Sequence, residues 1–289
     1  MRRTLQQQHI RQHQTNQMIT VSQLYIYPVK SLGGIAVAQA LLTDRGFEHD
    51  RRWMLVDTEN RFLSQRELPT MALLQTSLHA NGIQVSETSK PGNNIIIPWQ
   101  PQTNTQLTVS IWEDSCKAII VSDVLNEWFT QQLKVNCKLV YMPDASRRKV
   151  DTRYASQHEI TSFSDGYPVL LVSQASLNDL NQRLDTPVSM QRFRPNLVIT
   201  GCLPYQEDEM AGFTINDIQF FGVKLCARCV VTTINPITAT KEKEPLKTLA
   251  GYRQQDKKIF FGQNVLFNKK GLISIDDILT ITNWGAKRF

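Results

Sequence analysis

The sequence is short of the residues from which disulfide frameworks and zinc sites are built. Its 289 residues include five cysteines and five histidines. An odd, small number of cysteines in a chain of this length does not predict a disulfide framework. Only Cys226 and Cys229 are spaced as Cys-x-x-Cys, and no histidines are paired, so half of a four-ligand zinc site is missing. We therefore expect a reducing compartment, the cytoplasm.

Long apolar runs are missing as well. No stretch approaches the roughly 20 apolar residues that a membrane-spanning helix needs, and runs such as Pro168–Val172 have the length of a strand. The basic segment Met1–Thr4 is not followed by an apolar segment, so the sequence does not predict a secretory signal. We expect no contact with a membrane.

The positive charge is too scattered to predict a nucleic-acid surface. The formal net charge is +6, but Arg2, Arg3 and Arg11 lie in residues 1–17, which contain no acid. This stretch is rich in Gln and His, and we predict that it is a disordered extension preceding a start at Met18. The one further basic cluster is Arg147–Lys149, and no nucleic-acid-binding motif accompanies it. We expect no nucleic-acid partner.

The first half of the chain has the pattern of a small β domain. Apolar residues make up 41% of the chain and charged residues 20%, which is typical of a globular protein with a sizeable core. Between Val21 and Tyr141, short β-forming runs alternate with Gly, Pro and Asn clusters, which favours a barrel or a sandwich. Ser122 and Asp123 precede an amphipathic helix predicted over Val124–Leu133.

The second half is also predicted to be mainly β, with a few helices. Pro143–Asp165 has no periodicity and is predicted to be a linker or an active-site loop. Helices are predicted over Ala175–Leu184, capped by Ser173, and over Pro245–Arg253. The predicted strands are Val169–Val172, Leu197–Thr200, Phe213–Phe221, Val230–Asn235, Ile259–Leu266 and Ile278–Thr282.

The most specific local feature is the pair Cys226 and Cys229 around Arg228. The β-branched run Val230–Thr233 favours a strand, so the cysteines are predicted to lie at a strand entrance beside a permanent positive charge. Three interpretations remain open at this point: buried structural thiols, a metal or cofactor site with one cysteine ligand, or a redox pair or half a zinc site.

Motifs spread along the chain favour the interpretation as a metal or cofactor site with one cysteine ligand, because together they resemble one family. The motif Cys-x-Arg-Cys-x-x-Thr-Thr-x-x-Pro at 226–236 and the segments downstream of it resemble a MOSC domain. The first two upstream segments, Tyr27–Ser31 and Asp50–Val56, resemble the N-terminal β-barrel domain of the branch that contains the mitochondrial amidoxime-reducing component and its bacterial relatives. The matching segments are Tyr27–Ser31, Asp50–Val56, Phe193–Ile199, Glu244–Leu249, Tyr252-Arg253 and Phe261–Gln263.

The resemblance implies a fold and a cofactor. The implied fold is mainly β (α+β), with an N-terminal MOSC-type β-barrel over residues 18–142 and a C-terminal MOSC β-barrel over 143–289. The implied cofactor is the molybdenum cofactor, Mo-molybdopterin, with Cys229 as the metal ligand and catalytic residue. Cys226 is expected to be a packed structural thiol. The residues that the resemblance assigns to cofactor binding are Lys30, Ser31, Arg51, Asp165, Arg194, Asn196, Arg228 and Asn264.

Several of these assignments also have a local rationale. Lys30 and Ser31, with Gly33 and Gly34 just beyond them, could wrap a phosphate, and Arg51 could add a planar guanidinium. Arg52 follows Arg51 directly, and adjacent strand residues face opposite sides, so we expect only one of the two arginines to point inward.

The implied activity is reduction of small N-hydroxylated compounds, namely hydroxylamines, amidoximes and N-hydroxylated bases. No cysteine follows Cys229, so we expect no ferredoxin-like domain and a separate electron donor, a haem or iron–sulfur protein with its reductase. Two alternatives stay open: a non-catalytic carrier of the cofactor or of sulfur that uses Cys229, and a basic nucleic-acid-binding barrel. The resemblance also suggests a role in detoxification and allows an association with pyridoxal phosphate.

Overall fold

A computed structural model gives the fold of the chain. It describes residues 18–88, 90, 92–155, 159–287 and 289. The predicted disordered extension, residues 1–17, lies outside the described residues. The prediction of a mainly β fold with a few helices is confirmed.

Strands account for most of the regular structure. The α-helices in the described residues are α1 (Asp123–Leu133), α2 (Gln174–Asn181) and α3 (Leu246–Arg253), and the 3₁₀ helices are Pro69–Leu73, Met190–Arg192, Gln206–Glu209 and Val230–Thr233. The strands are β1 (Thr20–Ile26), β2 (Ile35–Val37), β3 (Gln39–Thr43), β4 (Gly46–Phe47), β5 (Trp53–Val56), β6 (Leu74–His79), β7 (Gly82–Glu87), β8 (Asn94–Pro98), β9 (Gln106–Ile111), β10 (Asp114–Ile120), β11 (Lys138–Tyr141), β12 (Arg148–Lys149), β13 (Ile160–Thr161), β14 (Val169–Ser173), β15 (Leu197–Thr200), β16 (Met210–Ile215), β17 (Ile218–Arg228), β18 (Gln254–Gln255), β19 (Lys258–Phe267), β20 (Gly271–Ser274) and β21 (Leu279–Trp284).

The largest sheet holds nine strands and curls back on itself. Its path is β2-β1-β15-β14-β19-β17-β16-β21, with β18 paired to β19. A bridge from Thr20 to Ile278 joins its two ends, and the amide of Val21 donates to the carbonyl of Asp277 at 2.9 Å. The interior is apolar, with the rings of Phe213 and Phe220 stacked at 5.1 Å. The closure gives this sheet the character of a barrel.

A second group of sheets is formed within residues 53–141. Its members are a four-stranded sheet, β5-β11-β10-β9, and a three-stranded meander, β6-β7-β8. Helix α1 packs its buried face, which includes Leu125 and Phe129, into the core that Trp53 also fills. The apolar positions of α1 recur at helical spacing, which explains why the helix was predicted within one residue of its observed start.

The two groups of sheets are connected through the start of the chain. Strand β1 pairs antiparallel with β15, and Val29, three residues beyond β1, bridges to Trp53 at the start of β5. Strand β3 likewise pairs with β20, near the C-terminus. The segment that joins β1 to β5 therefore runs between the two groups, and it carries Lys30, Ser31 and Arg51. The division of the chain at residue 142 stays a prediction.

Two of the strand predictions were wrong, one in the type of element and one in its extent. Val230–Thr233 forms a 3₁₀ helix rather than a strand, because the Thr232 and Thr233 hydroxyls donate back to the carbonyls of Cys229 and Val230 at 2.9 and 2.8 Å. Such local side-chain bonds compete with a strand ladder. The cysteines therefore lie at the exit of β17. The predicted strand Phe213–Phe221 is two strands, β16 and β17, joined by a turn at Asn216, which has φ +54°.

Two further features complete the fold. The predicted loop Pro143–Asp165 contains the short strands β12 and β13, which pair with each other. Within the part of the chain that the structure describes, none of the helices has the length and apolar character that crossing a membrane requires.

Candidate functional site

A pocket opens where the two groups of sheets meet. It encloses about 880 Å³, including its open mouth. The nine residues that the sequence assigned to the site all line it. They come from the β1–β5 connection, the loop before β14, the segment leading into β15, the end of β17, and β19. These residues are Lys30, Ser31, Arg51, Asp165, Arg194, Asn196, Arg228, Cys229 and Asn264. Their placement together is a structural finding, whereas their roles stay predictions.

The sulfur of Cys229 is held by an arginine that the sequence motifs did not single out. Cys229 follows the end of β17 and precedes the 3₁₀ helix Val230–Thr233. Its Sγ accepts a hydrogen bond from Nη2 of Arg66 at 3.1 Å. Arg228 turns elsewhere, donating from Nη1 to Sγ of Cys226 at 3.0 Å and from Nη2 to the carbonyl of Phe193 at 2.6 Å. The cation that contacts Cys229 is therefore Arg66 and not its sequence neighbour.

Arg66 lies in the segment between β5 and the 3₁₀ helix Pro69–Leu73, and it lines the pocket with Ser64. A loop arginine resembles any solvent-facing arginine in a sequence, and the only local signal is its place in a short polar run after Phe62 and Leu63. The indole of Trp112 lies against this guanidinium, 4.3 Å from Cζ to the ring.

The guanidinium groups of Arg51 and Arg194 both pack against the ring of Tyr27. The guanidinium carbon of each lies 4.3 Å from the ring centroid of Tyr27, a fully buried residue. Arg194 donates from Nη1 to the carbonyl of Leu32 at 2.6 Å. Burial, reinforced by the neighbouring Arg51, lowers the pKa of Arg194 to about 10. Arg51 is already paired with the buried carboxylate of Asp50 at 2.5 Å, whereas Arg194 forms no ion pair among the described residues. The charge of Arg194 therefore favours an anionic ligand in the pocket.

Lys30 is a buried lysine in the lining of the pocket. Its Nζ donates to the carbonyl of Phe163 at 2.8 Å and to Oδ1 of Asp165 at 2.6 Å. Burial lowers the pKa of Lys30, and Asp165 only partly opposes this effect. The neighbouring Lys30 and Arg66 hold the pKa of Asp165, whose side chain is 69% exposed, below its ordinary value. The carboxylate of Asp165 is therefore charged at neutral pH.

Two amide side chains brace the wall. Asn196 donates from Nδ2 to the carbonyl of Tyr25 at 3.2 Å, and its Oδ1 accepts from Arg51 and from the amide of Leu170. Asn264 donates to the carbonyl of Lys224 at 3.2 Å. Since these amides bond to the backbone, they fix the positions of neighbouring groups.

Gly33 and Gly34 lie outside the lining of this pocket, so the expectation that they help to wrap a phosphate stays a prediction. A Cβ on Gly33 would lie 2.4 Å from Oε1 of Gln75, and one on Gly34 would lie 2.3 Å from Cε1 of Tyr27. These glycines are needed for close packing behind the arginine pair.

The lining chemistry fits an anionic, sulfur-ligated group. Among the lining residues are five cations, Arg66 included, against the single carboxylate of Asp165, and the two thiols of Cys226 and Cys229. Nε of Arg228 is buried without a hydrogen-bond partner among the described residues, so the wall retains an unused donor. The described residues contain no cluster of three or more His, Cys, Asp or Glu side chains suited to a metal ion. A metal bound here would therefore bring most of its own ligands.

Comparison with protein families gives two matches, one for each half of the chain. The MOSC N-terminal beta barrel domain matches residues 18–136, and the MOSC domain matches residues 158–280. The second match includes Asp165, Arg194, Arg228, Cys229 and Asn264, and the first includes Lys30, Ser31, Arg51 and Arg66. The pocket therefore draws residues from both matched regions.

Curated relatives match most of the chain. Mitochondrial amidoxime-reducing component 1 of Mus musculus is 31% identical over 286 residues, covering 92% of this chain and 83% of the relative. The Homo sapiens component 1 is 32% identical, covering 90% and 82%. Molybdenum cofactor sulfurase of Oryza sativa subsp. japonica is 27% identical, covering 92% of this chain and 34% of the relative.

Proposed function

The chain belongs to the MOSC family, among the relatives of the mitochondrial amidoxime-reducing components, and from that premise we propose that it is a molybdenum-cofactor-dependent reductase of N-hydroxylated compounds. The observation that carries the proposal is the pocket itself, in which the Cys229 sulfur shares one cavity with Lys30, Arg51, Arg66 and Arg194. A soft sulfur ligand and a wall of cations are what a metal on an anionic pterin requires.

The chain's own residues have separable tasks in this proposal. Cys229 would hold the metal through its sulfur, with Arg66 supporting negative charge on that atom. Lys30, Arg51 and Arg194 would hold the phosphate and pterin, because they are buried and already oriented by backbone carbonyls. Ser31, Asn196 and Asn264 would contribute polar contacts around the pterin. When bound, the cofactor would supply the two-electron chemistry that removes oxygen from nitrogen.

The proposed substrates are small N-hydroxylated compounds: hydroxylamines, amidoximes and N-hydroxylated bases, whose reduction would be a detoxification. The names of the curated relatives support this class. At the pocket wall, the exposed carboxylate of Asp165 could accept a hydrogen bond from an amidine or hydroxylamine N–H. We propose that electrons come from a separate haem or iron–sulfur protein with its reductase.

The test combines composition with turnover. The full-length protein is purified from cells that make the cofactor, molybdenum and pterin are quantified, and benzamidoxime reduction is measured with reduced methyl viologen as the donor. We expect near-stoichiometric cofactor and substrate-dependent oxidation of the viologen. Cys229→Ala should lose both the metal and the activity while keeping the fold, whereas Cys226→Ala should keep most of both. Full activity in Cys229→Ala would contradict the proposal.

A second candidate is a non-catalytic carrier of the cofactor or of sulfur. The observation in its favour is the match to a molybdenum cofactor sulfurase, of which this chain covers 34%. The same experiment separates the two functions. Cofactor bound without any reductase activity, or Cys229 purified as a persulfide without metal, would favour the carrier.

A further inference from the structure

The tip of the β9–β10 hairpin places a tryptophan against two residues of the pocket wall, Arg66 and Asp165. Trp112 follows β9 directly, with φ +55°, in the left-handed region that a bulky residue rarely adopts. Its side chain is 49% exposed. A strained backbone under a large, half-exposed aromatic residue persists only where the surroundings fix it, and such positions are concentrated at functional sites.

Three contacts fix the indole. The guanidinium carbon of Arg66 lies 4.3 Å from the Trp112 ring, within the range of a cation–π interaction. Nε1 of Trp112 donates to Oδ1 of Asp165 at 3.3 Å, and Phe62 meets the ring edge-on at 4.8 Å. Two of these three partners, Arg66 and Asp165, are charged residues of the pocket wall.

Arg66 needs such support because of its position. Its side chain crosses from the segment after β5 to reach Cys229, which is 163 residues away in sequence. Within the described residues, the Arg66 side chain donates one hydrogen bond, and its acceptor is this sulfur. No other hydrogen bond there orients the guanidinium group. A long side chain held by one bond to a sulfur would sample many rotamers, and a flat aromatic surface against the guanidinium restricts them.

We propose that Trp112 is a positioning residue: its ring face holds the Arg66 guanidinium against the Cys229 sulfur, and its hydrogen bond to Asp165 sets the angle of the ring. The consequence for turnover rests on the proposed function, but the positioning itself does not. It therefore can be tested on the chain without cofactor.

The test compares two reagents of different charge that attack the same sulfur. Full-length protein made without cofactor is treated with limiting iodoacetate or iodoacetamide, and modification of Cys229 is followed by mass spectrometry of its peptide. The ratio of the two rates reports the local positive charge at the sulfur, because thiolate fraction and access affect both reagents. A general loosening of the fold would change both rates and leave the ratio nearly constant.

Arg66→Gln should lower the iodoacetate-to-iodoacetamide ratio roughly fivefold, since one nearby charge in water is worth about that factor. Trp112→Leu should lower it nearly as far, and the double variant should show no further loss. Trp112→Phe, which keeps the ring face, should stay within about twofold of the unmodified protein. Trp99→Leu is the matched control, because its ring stacks on His49 and not on the Arg66 guanidinium.

An unchanged ratio in Trp112→Leu, alongside a reduced ratio in Arg66→Gln, would overturn the proposal. So would a Trp112→Phe protein that behaves like Trp112→Leu, because the ring face would then not be what holds Arg66. Failure of the reductase assay would leave this measurement intact, so the two proposals fail separately.

Discussion

Arg51 donates from Nη1 to Oδ1 of Asn196 at 3.0 Å, although the two residues are 145 positions apart. Arg51 lies just before β5 and Asn196 just before β15, so this bond links the two groups of sheets at the wall of the pocket. Nη2 also donates to the carbonyl of Arg194 at 3.2 Å, and Nη1 pairs with the buried Oδ2 of Asp50 at 2.5 Å. Arg51 is thus fixed before any ligand arrives, which lowers the entropic cost of binding one.

The first prediction uses the arginine next to Arg51 as its control. Arg51→Gln should reduce cofactor affinity about tenfold or more, because a charge-assisted hydrogen bond contributes about 1.5–3 kcal/mol. Arg52→Gln should leave it unchanged, since Arg52 points to Met142 and Asp144. Molybdenum and pterin per chain after dialysis provide the measurement. Equal losses in both variants would mean that Arg51 acts through the fold rather than through the ligand.

The local elements of the fold were predictable from the sequence, but their partners were not. Short runs of β-forming residues predicted β14 and β15 nearly at their observed bounds, and the spacing of apolar residues predicted α1. Nothing local indicates that β1 pairs with β15 or that β3 pairs with β20. Pairing is decided by closure of the whole sheet, which is a property of the assembled core.

The site shows the same limit at the scale of side chains. Cys226 and Arg228 are two apart on one strand, so they share a face and bond to each other. The chain then turns into a 3₁₀ helix, and Cys229 meets Arg66 instead. The resemblance of the motifs to a family predicted which residues line the pocket. It could not predict which cation donates a hydrogen bond to which cysteine sulfur.

The second prediction concerns Lys30, whose ammonium group is buried. Lys30→Met should lower the free energy of unfolding by about 1–3 kcal/mol, because the carbonyl of Phe163 would lose its donor inside the protein. Asp165 adds little to this cost, since its side chain is 69% exposed and stays hydrated. Urea denaturation of the cofactor-free protein measures the effect.

Lys90→Met supplies the comparison for Lys30. Lys90 pairs with Glu87 at 2.9 Å, and its own side chain is 63% exposed; an ion pair made by an exposed lysine contributes about 0–1 kcal/mol. If both substitutions cost the same, the buried bond to Phe163 would not be a source of stability.

The third prediction concerns a buried acid away from the pocket. Burial, reinforced by the adjacent Glu207, raises the pKa of Asp208 to about 7, although Arg253 is paired with it and acts in the opposite direction. In the folded protein Asp208 therefore keeps its proton between pH 4 and pH 7, whereas in the unfolded chain it loses it. The contribution of Asp208 to the free energy of unfolding should be fully present at low pH and should fall as the pH rises to about 7.

Asp208→Asn tests the sign, because asparagine mimics the protonated acid. The free energy of unfolding of the variant, minus that of the unmodified protein, should increase between pH 4 and pH 7 and then level off. The slope cannot exceed about 1.4 kcal/mol per pH unit for a single proton. If the ion pair with Arg253 prevailed over burial, the difference would instead decrease over the acidic range where the carboxylate forms.

The last prediction separates two glycines with opposite surroundings. Gly251 lies in α3, and no neighbouring atom lies within 4 Å of the position that an alanine methyl group would take there, so Gly251→Ala should stabilise the protein by about 0.5–1 kcal/mol.

Gly34→Ala would place its methyl group 2.3 Å from the buried ring of Tyr27 and should cost about 1–3 kcal/mol. That ring carries the guanidinium groups of Arg51 and Arg194, so its displacement should also reduce cofactor retention. Thermal unfolding and molybdenum content, measured on both variants, distinguish a packing role for Gly34 from the predicted phosphate contact. If Gly34 is needed for packing, Gly34→Ala lowers the unfolding temperature and the molybdenum content together. If it contacts the phosphate, the substitution lowers the molybdenum content alone.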